Sequence, residues 1–196
     1  RSISGPGSYQ YGNIINFNLY QAGVVETVMG LNAIMPAALF VASSMERRTN
    51  APAATWYDPW QMPYLTNQII AAIHQDSAAL PGRHVYSNNL TEAWVRPLGG
   101  QQTGTNAVLL INYSGSNSIV RVPHHWLGVP DTTPMSYMNA YAGTNLVTGS
   151  TNYQDVYFMN NTALLLLVYP TESDSSLNLV APRGFPDNTV TLRRTN

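Results

Sequence analysis

The sequence predicts a chain of two unlike parts, a helix-and-strand segment followed by an all-β antiparallel sandwich. Three observations predict it. From Leu65 to Ile73 the apolar residues Leu65, Ile69, Ile70 and Ile73 fall at helical spacing. At Pro81-Gly82 that period stops, with the residues that ordinarily end a helix. Beyond Gly82 the period changes to two, in short runs separated by turn residues. With 196 residues, 44% of them hydrophobic, the chain can bury a substantial core.

Each element follows from its own residues. Arg1 to Phe17 is rich in Gly, Ser, Tyr and Asn and reads as a loop with one short strand. Val24 to Met35 reads as a helix, with Val24, Val28, Leu31 and Met35 on one face and Glu26 early, where a helix dipole favours an acid. Ala37 to Ala42 is a short continuous apolar run, the mark of a buried parallel strand. Thr49 to Pro63 is a loop dense in proline and aromatics. The helix beginning near Leu65 takes Thr66 as its N-cap. Candidate strands then run over Arg83–Ser87, Thr91–Leu98, Ala107–Tyr113, Ser118–Val122, Met135–Tyr141, Tyr153–Met159 and Ala163–Tyr169. Gly99-Gly100, Ser114-Gly115-Ser116 and Gly143-Thr144-Asn145 are the turn signals between them. Several short strands at this spacing imply a sandwich. Thr171 to Asn196 adds a polar spacer and one more candidate strand.

Composition removes several function classes. Charged residues are 10% of the chain, lysine is absent, and all nine basic residues are arginine. A net charge of -1 without a basic cluster leaves no footprint for nucleic acid or an anionic membrane. No cysteine is present, so neither a disulfide framework nor a thiol nucleophile is available. The longest nearly unbroken apolar run, Ala33 to Ala42, contains Pro36 and is too short to span a bilayer. Phosphate-cradling glycine motifs and a G-x-S-x-G elbow are missing. His74, His84 and the adjacent pair His124-His125 have no acidic neighbour at ligand spacing, so the expectation is no metal and no cofactor.

Some phrases resemble a known family. Leu65, Thr66, Asn67, Ile70, Ala71, Ile73, Gln75 and Asp76, then Gly82, Arg83 and Val85, resemble the last barrel helix and domain junction of family 27 glycoside hydrolases. These are the α-galactosidases and α-N-acetylgalactosaminidases; His74 stands where the family usually has Asn. Leu31 to Phe40 resembles the helix leading into the eighth barrel strand. Glu92-Ala93-Trp94-Val95-Arg96-Pro97-Leu98 and Ala107 to Asn112 resemble strands of the C-terminal β domain. The resemblance covers about Gly5 to Pro170. It implies the last strands and helices of a (β/α)8-type barrel over 1–81, an antiparallel Greek-key sandwich over 82–170, and a C-terminal extension over 171–196 without a counterpart.

The same comparison shows losses. Pro6, Gly12 and Asn13 match the family's seventh-strand loop, but both acidic positions there are glycine, Gly5 and Gly7. Where the family usually reads N-D-L-R, this chain has Ser43, Ser44, Met45 and Glu46. Retaining glycosidases need two carboxylates about 5 to 5.5 Å apart. The family carries them on earlier barrel strands, so no catalytic residue transfers to this chain.

What is left is a set of expectations. Trp56, Tyr57 and Trp60 offer faces on which a sugar ring could stack, with Asp58 the nearest carboxylate; the same rings suit packing against the 65–76 helix. The sequons at Asn89, Asn112 and Asn160 predict exposed asparagines, at least one of them glycosylated, and with the low charge favour a secreted glycoprotein. Arg1 is not an initiator residue, so a processed or partial chain is expected. A (β/α)8 barrel needs about 250 residues. An upstream polypeptide or a partner subunit is therefore expected to complete the barrel. Two functions fit: a structural or sugar-binding protein derived from a glycosidase, and the C-terminal segment of a working α-galactosidase-type enzyme.

Overall fold

Alternation along the strands after Gly82 assigns their side chains to two different cores. A computed structural model describes residues 14–15, 22–35, 40–41, 62–99, 104–171, 177–179 and 190–192. The first described strand, β1 (Ile14–Ile15), leads to helix α1 (Ala22–Ile34) and strand β2 (Phe40–Val41). β1 and β2 pair in parallel, so the three elements form a βαβ unit. Two short helices follow, α2 (Met62–Leu65) and α3 (Gln68–His74).

The sandwich strands are β3 (Arg83–Ser87), β4 (Thr91–Pro97), β5 (Asn106–Asn112), β6 (Ser118–Pro123), β7 (Met135–Asn139), β8 (Thr144–Ser150), β9 (Tyr153–Phe158) and β10 (Ala163–Pro170). A one-turn helix, α4 (His124–Leu127), links β6 to β7. The short strands β11 (Leu177–Leu179) and β12 (Val190–Leu192) pair with each other. Six strands form one antiparallel sheet in the order β3-β4-β5-β10-β7-β8, and β6 pairs with β9 in a second.

Three layers result. On one face of the large sheet, Ala93, Val95, Val108, Leu110, Leu166 and Val168 meet Val120, Val122, Val156 and Phe158 of the β6–β9 pair. On the other, Leu98, Ala107, Leu109, Ile111, Leu165 and Leu167 meet Val25, Met29 and Ala33 of α1 and Ile70 and Ile73 of α3. Because β5 and β10 lie mid-sheet with both faces covered, they read as unbroken apolar runs.

Several expectations need correction. The expected strand positions hold, and the change from helix to strand falls at Gly82. The segment from Leu65 is two helices rather than one, and the N-cap of α3 is Asn67, not Thr66. Asn67 Oδ1 accepts from the amides of Ile69 and Ile70 at 2.9 and 3.0 Å, which no threonine one residue earlier could do. The buried stripe of α1 is Val25, Met29 and Ala33, one position on from the expected Val24, Val28, Leu31 and Met35. Val24 is 44% exposed, while Val28 and Leu31 pack only at the margin of the core. Glu26 does not serve the helix dipole either, because α1 begins at Ala22 and has no acid in its first turn. β8 was hidden by the turn signal at Gly143-Thr144-Asn145, whose last two residues are strand.

Candidate functional site

The residues that carry the resemblance turn out to hold the structure together. Asn67 Nδ2 donates to the carbonyls of Ala140 and Tyr141 at 2.9 and 3.1 Å, tying the start of α3 to the β7–β8 turn. Asp76 accepts from the amides of Ala78 and Gly99, joining the exit of α3 to the end of β4. The Gly82 amide donates to the Ile34 carbonyl at 3.0 Å, and a Cβ there would meet Ile34 Cγ2 at 2.1 Å. Arg83 reaches the carbonyl of Trp126. At Arg96 the guanidinium is fully buried and donates to the carbonyls of Ala33 and Ile73 at 2.5 and 2.8 Å. It therefore satisfies terminal carbonyls of α1 and α3 together, where a cation is also favoured by both helix dipoles.

The expected site residues fare unevenly. Trp56, Tyr57, Asp58 and Trp60 lie outside the described residues, as do Gly5, Gly7 and Ser44. Asn89 and Asn160 are exposed in turns, Asn89 with a left-handed φ of 69°. Asn112 is not: it is 2% exposed at the end of β5, and its Nδ2 donates to the carbonyls of Ser116 and Met159 at 2.9 Å each. A glycan on that nitrogen is incompatible with this fold, which corrects the expectation for Asn112. Of the histidines, His84 packs on Trp94 with centroids 4.9 Å apart and His125 meets Trp126 edge-on. His124 is buried in α4; burial lowers its pKa, opposed by the Pro130 carbonyl and by Asp131. Among the described residues no group of three or more His, Asp and Glu is placed to hold a metal ion.

One open cleft of about 490 Å³ combines polar and apolar walls, lined among others by Glu26, Tyr64, Tyr141, Leu146, Tyr157 and Met159. Glu26 comes from α1, Tyr64 from α2, Tyr141 from the β7–β8 turn, and the rest from β8, β9 and the turn after it. Tyr64 donates to Glu26 Oε1 at 3.0 Å, and Tyr141 donates to the Glu26 carbonyl at 2.5 Å. The two rings meet edge to face, 5.8 Å between centroids. Burial raises the pKa of Glu26, opposed by the Tyr64 hydrogen bond, and burial with the adjacent carboxylate pushes Tyr64 up to about 12. The sequence reading missed this cluster. Its one signal was an acid set in the otherwise uncharged stretch from Ala22 to Ile34.

A second surface groove of about 630 Å³ lies over the β6–β9 pair, beside Tyr86 and Trp126, whose rings are 5.8 Å apart. Arg121 crosses it to Asp155 at 2.8 Å and lies 4.0 Å from the Tyr153 ring centroid. Among the described residues neither surface holds two carboxylates. Glu26 bonds Tyr64, Asp76 bonds Gly99, Glu92 bonds Trp94 and Asp155 bonds Arg121, on separate elements.

By sequence, no family model and no curated protein matches the chain. By structure, matches are extensive. A GH27 β-L-arabinopyranosidase from Geobacillus stearothermophilus superposes with a TM-score of 0.64 at 22% identity, over 80% of this chain and 32% of its own. The resemblance read from the junction residues thus has a structural counterpart. The fold is that of the C-terminal part of family 27 glycoside hydrolases. α-Galactosidase I from Mortierella vinacea gives 0.62 at 15% identity, over 82% of this chain and 40% of its own. The Saccharomyces cerevisiae α-galactosidase gives 0.61 at 12%, over 79% and 46%. The chain thus spans less than half the length of these family 27 enzymes, and at such identities the likeness is one of fold.

Proposed function

We propose that this chain is a non-catalytic portion of an extracellular glycoprotein derived from a glycosidase, with a structural or sugar-binding role. The observation that carries the reading is the βαβ unit joined to this particular sandwich. β1, α1 and β2 have the parallel connectivity from which (β/α)8 barrels are built. Two strands do not close a barrel, so an upstream polypeptide or a partner subunit completes it. Val24 of α1, 44% exposed, supports the same conclusion, since it leaves apolar surface outside the sandwich core while Val28 and Leu31 are only partly covered by it. Trp56, Tyr57, Asp58 and Trp60 remain the proposed sugar contacts, and Asn89 and Asn160 the proposed glycan sites.

A second reading is that the chain is the C-terminal segment of an active retaining α-galactosidase-type hydrolase. Its favouring observation is that the matched enzymes extend well beyond the aligned part. In that case the catalytic aspartates lie on residues or a chain outside these 196. Intact mass and N-terminal peptide sequencing of the native protein separate the two. A barrel-length upstream segment without the two strand-end aspartates supports the first reading; a segment carrying both overturns it in favour of the second.

A further inference from the structure

We propose that the cleft between α2, the β7–β8 turn and β9 is a subsite for a neutral pyranose, whose hydroxyls Glu26 reads and whose apolar face Tyr157 covers. The proposal rests on the sugar-binding reading above and gives it a place. Three side chains on the cleft wall, Leu146, Tyr157 and Met159, are large, apolar and 49%, 61% and 64% exposed. They are three of the eight exposed large hydrophobics among the described residues, gathered around one half-buried carboxylate. Exposed apolar side chains gathered round a few convergent polar groups mark a binding surface.

The chemistry of the walls narrows the ligand. Among the described residues no lysine or arginine lines the cleft, so an anion would face Glu26 with no compensating charge from them. A wholly apolar ligand would strip water from Glu26 and supply no donor to replace it. A neutral ring with hydroxyls along one edge and C–H groups on a face meets both demands. Glu26 already accepts from Tyr64 and from the Ala163 amide, and a carboxylate with about four lone-pair sites can still accept from the ligand. The Tyr64 and Tyr141 rings meet edge to face rather than standing as facing walls, so they do not enclose a cation between them. Asn139 Nδ2 and the Thr162 hydroxyl oxygen, also on the lining, offer a neutral donor and a neutral acceptor. Asn139 Oδ1 is engaged by the amides of Tyr141 and Ala142, and the Thr162 hydroxyl donates to the Met159 carbonyl. A volume of about 490 Å³ lies within the range of small-molecule sites.

The test is ligand-observed NMR on the full 196-residue chain, with methyl α-galactopyranoside, methyl α-glucopyranoside and, as a cation probe, choline. Glu26→Gln keeps an acceptor for Tyr64 while removing the charge, and Tyr157→Ala alters an exposed ring, so the fold does not depend on it. Each is expected to weaken pyranoside binding by about tenfold or more, the effect of losing one charge-assisted hydrogen bond or one stacked ring. Tyr86→Ala, in the other groove, is expected to change nothing. Pyranoside binding that survives both cleft variants but falls with Tyr86→Ala moves the site and overturns the cleft proposal while leaving the sugar-binding reading intact. No pyranoside binding at all overturns both. Choline binding in its place overturns the choice of ligand. Should Glu26→Gln not fold, Tyr157→Ala decides alone.

Discussion

At position 96 the chain sets a guanidinium inside an otherwise apolar strand face, and two helices end on it. Burying a cation is tolerated only when hydrogen bonds replace its water, and the carbonyls of Ala33 and Ile73 do so. Arg96→Met keeps much of the volume and leaves those carbonyls unsatisfied, so it is expected to cost about 2 to 4 kcal/mol in urea unfolding. A loss below about 0.5 kcal/mol, the usual range for surface changes, would show that Arg96 is not holding the helices. Glu26 supplies a pH signature. Its folded pKa lies above the ordinary 4.5, so the folded state keeps its proton where the unfolded chain has lost it. Stability from this group is full below pH 4.5 and is lost as pH rises through the raised value. Tyr64 acts with the same sign between pH 10 and about 12. Glu26→Gln is therefore expected to flatten the fall in stability above pH 4.5, measured as melting temperature against pH. Neither role was legible in the sequence, because Arg96 looked like one residue of a family phrase and Glu26 like a dipole partner. Burial, which made both of them what they are, depends on contacts 63 and 38 residues away in the chain.

Elements were legible wherever one face met a core and the other met water. β4, β6 and β9 alternate and were found; β5 and β10 are apolar throughout and were found as short runs bounded by turn residues. β8 failed this test because it is an exposed edge strand, Thr-Asn-Leu-Val-Thr-Gly-Ser, with little to bury. Its pairing with β7 includes register shifts on both sides of Tyr137, so no clean period of two survives there. α1 failed differently. It is apolar on more than one face, and periodicity cannot say which stripe turns inward. α3 owes its start to Asn67, which caps the helix and grips the β7–β8 turn with one side chain. Asn67→Ala is expected to cost about 2 kcal/mol, more than an isolated cap, since two further hydrogen bonds go with it. Asn67→Asp keeps the cap but not the donors and should fall between. Equal stability of Asp and wild type would mean that the link to Ala140 and Tyr141 contributes nothing.

On the scale of the whole molecule, what carries the resemblance is architecture. The residues that carry the resemblance, Asn67, Asp76, Gly82, Arg83 and Arg96, are joints between helices and sheet, and none of them faces a paired carboxylate. That is why the fold could be read from so short a stretch while activity could not: joints constrain sequence locally, whereas a retaining site needs two acids brought together from different strands. The cleft proposed for a pyranose was invisible for the same reason, being assembled from α1, α2, β8, β9 and a turn. The central claim is that these 196 residues do no glycoside chemistry of their own. The direct measurement is hydrolysis of p-nitrophenyl α-galactopyranoside by the purified chain, followed through the release of nitrophenolate. The account predicts no turnover above buffer at any pH, for the wild type and for Glu26→Gln alike. Turnover by the wild-type chain that disappears when one of its own ten acidic residues is replaced would contradict it.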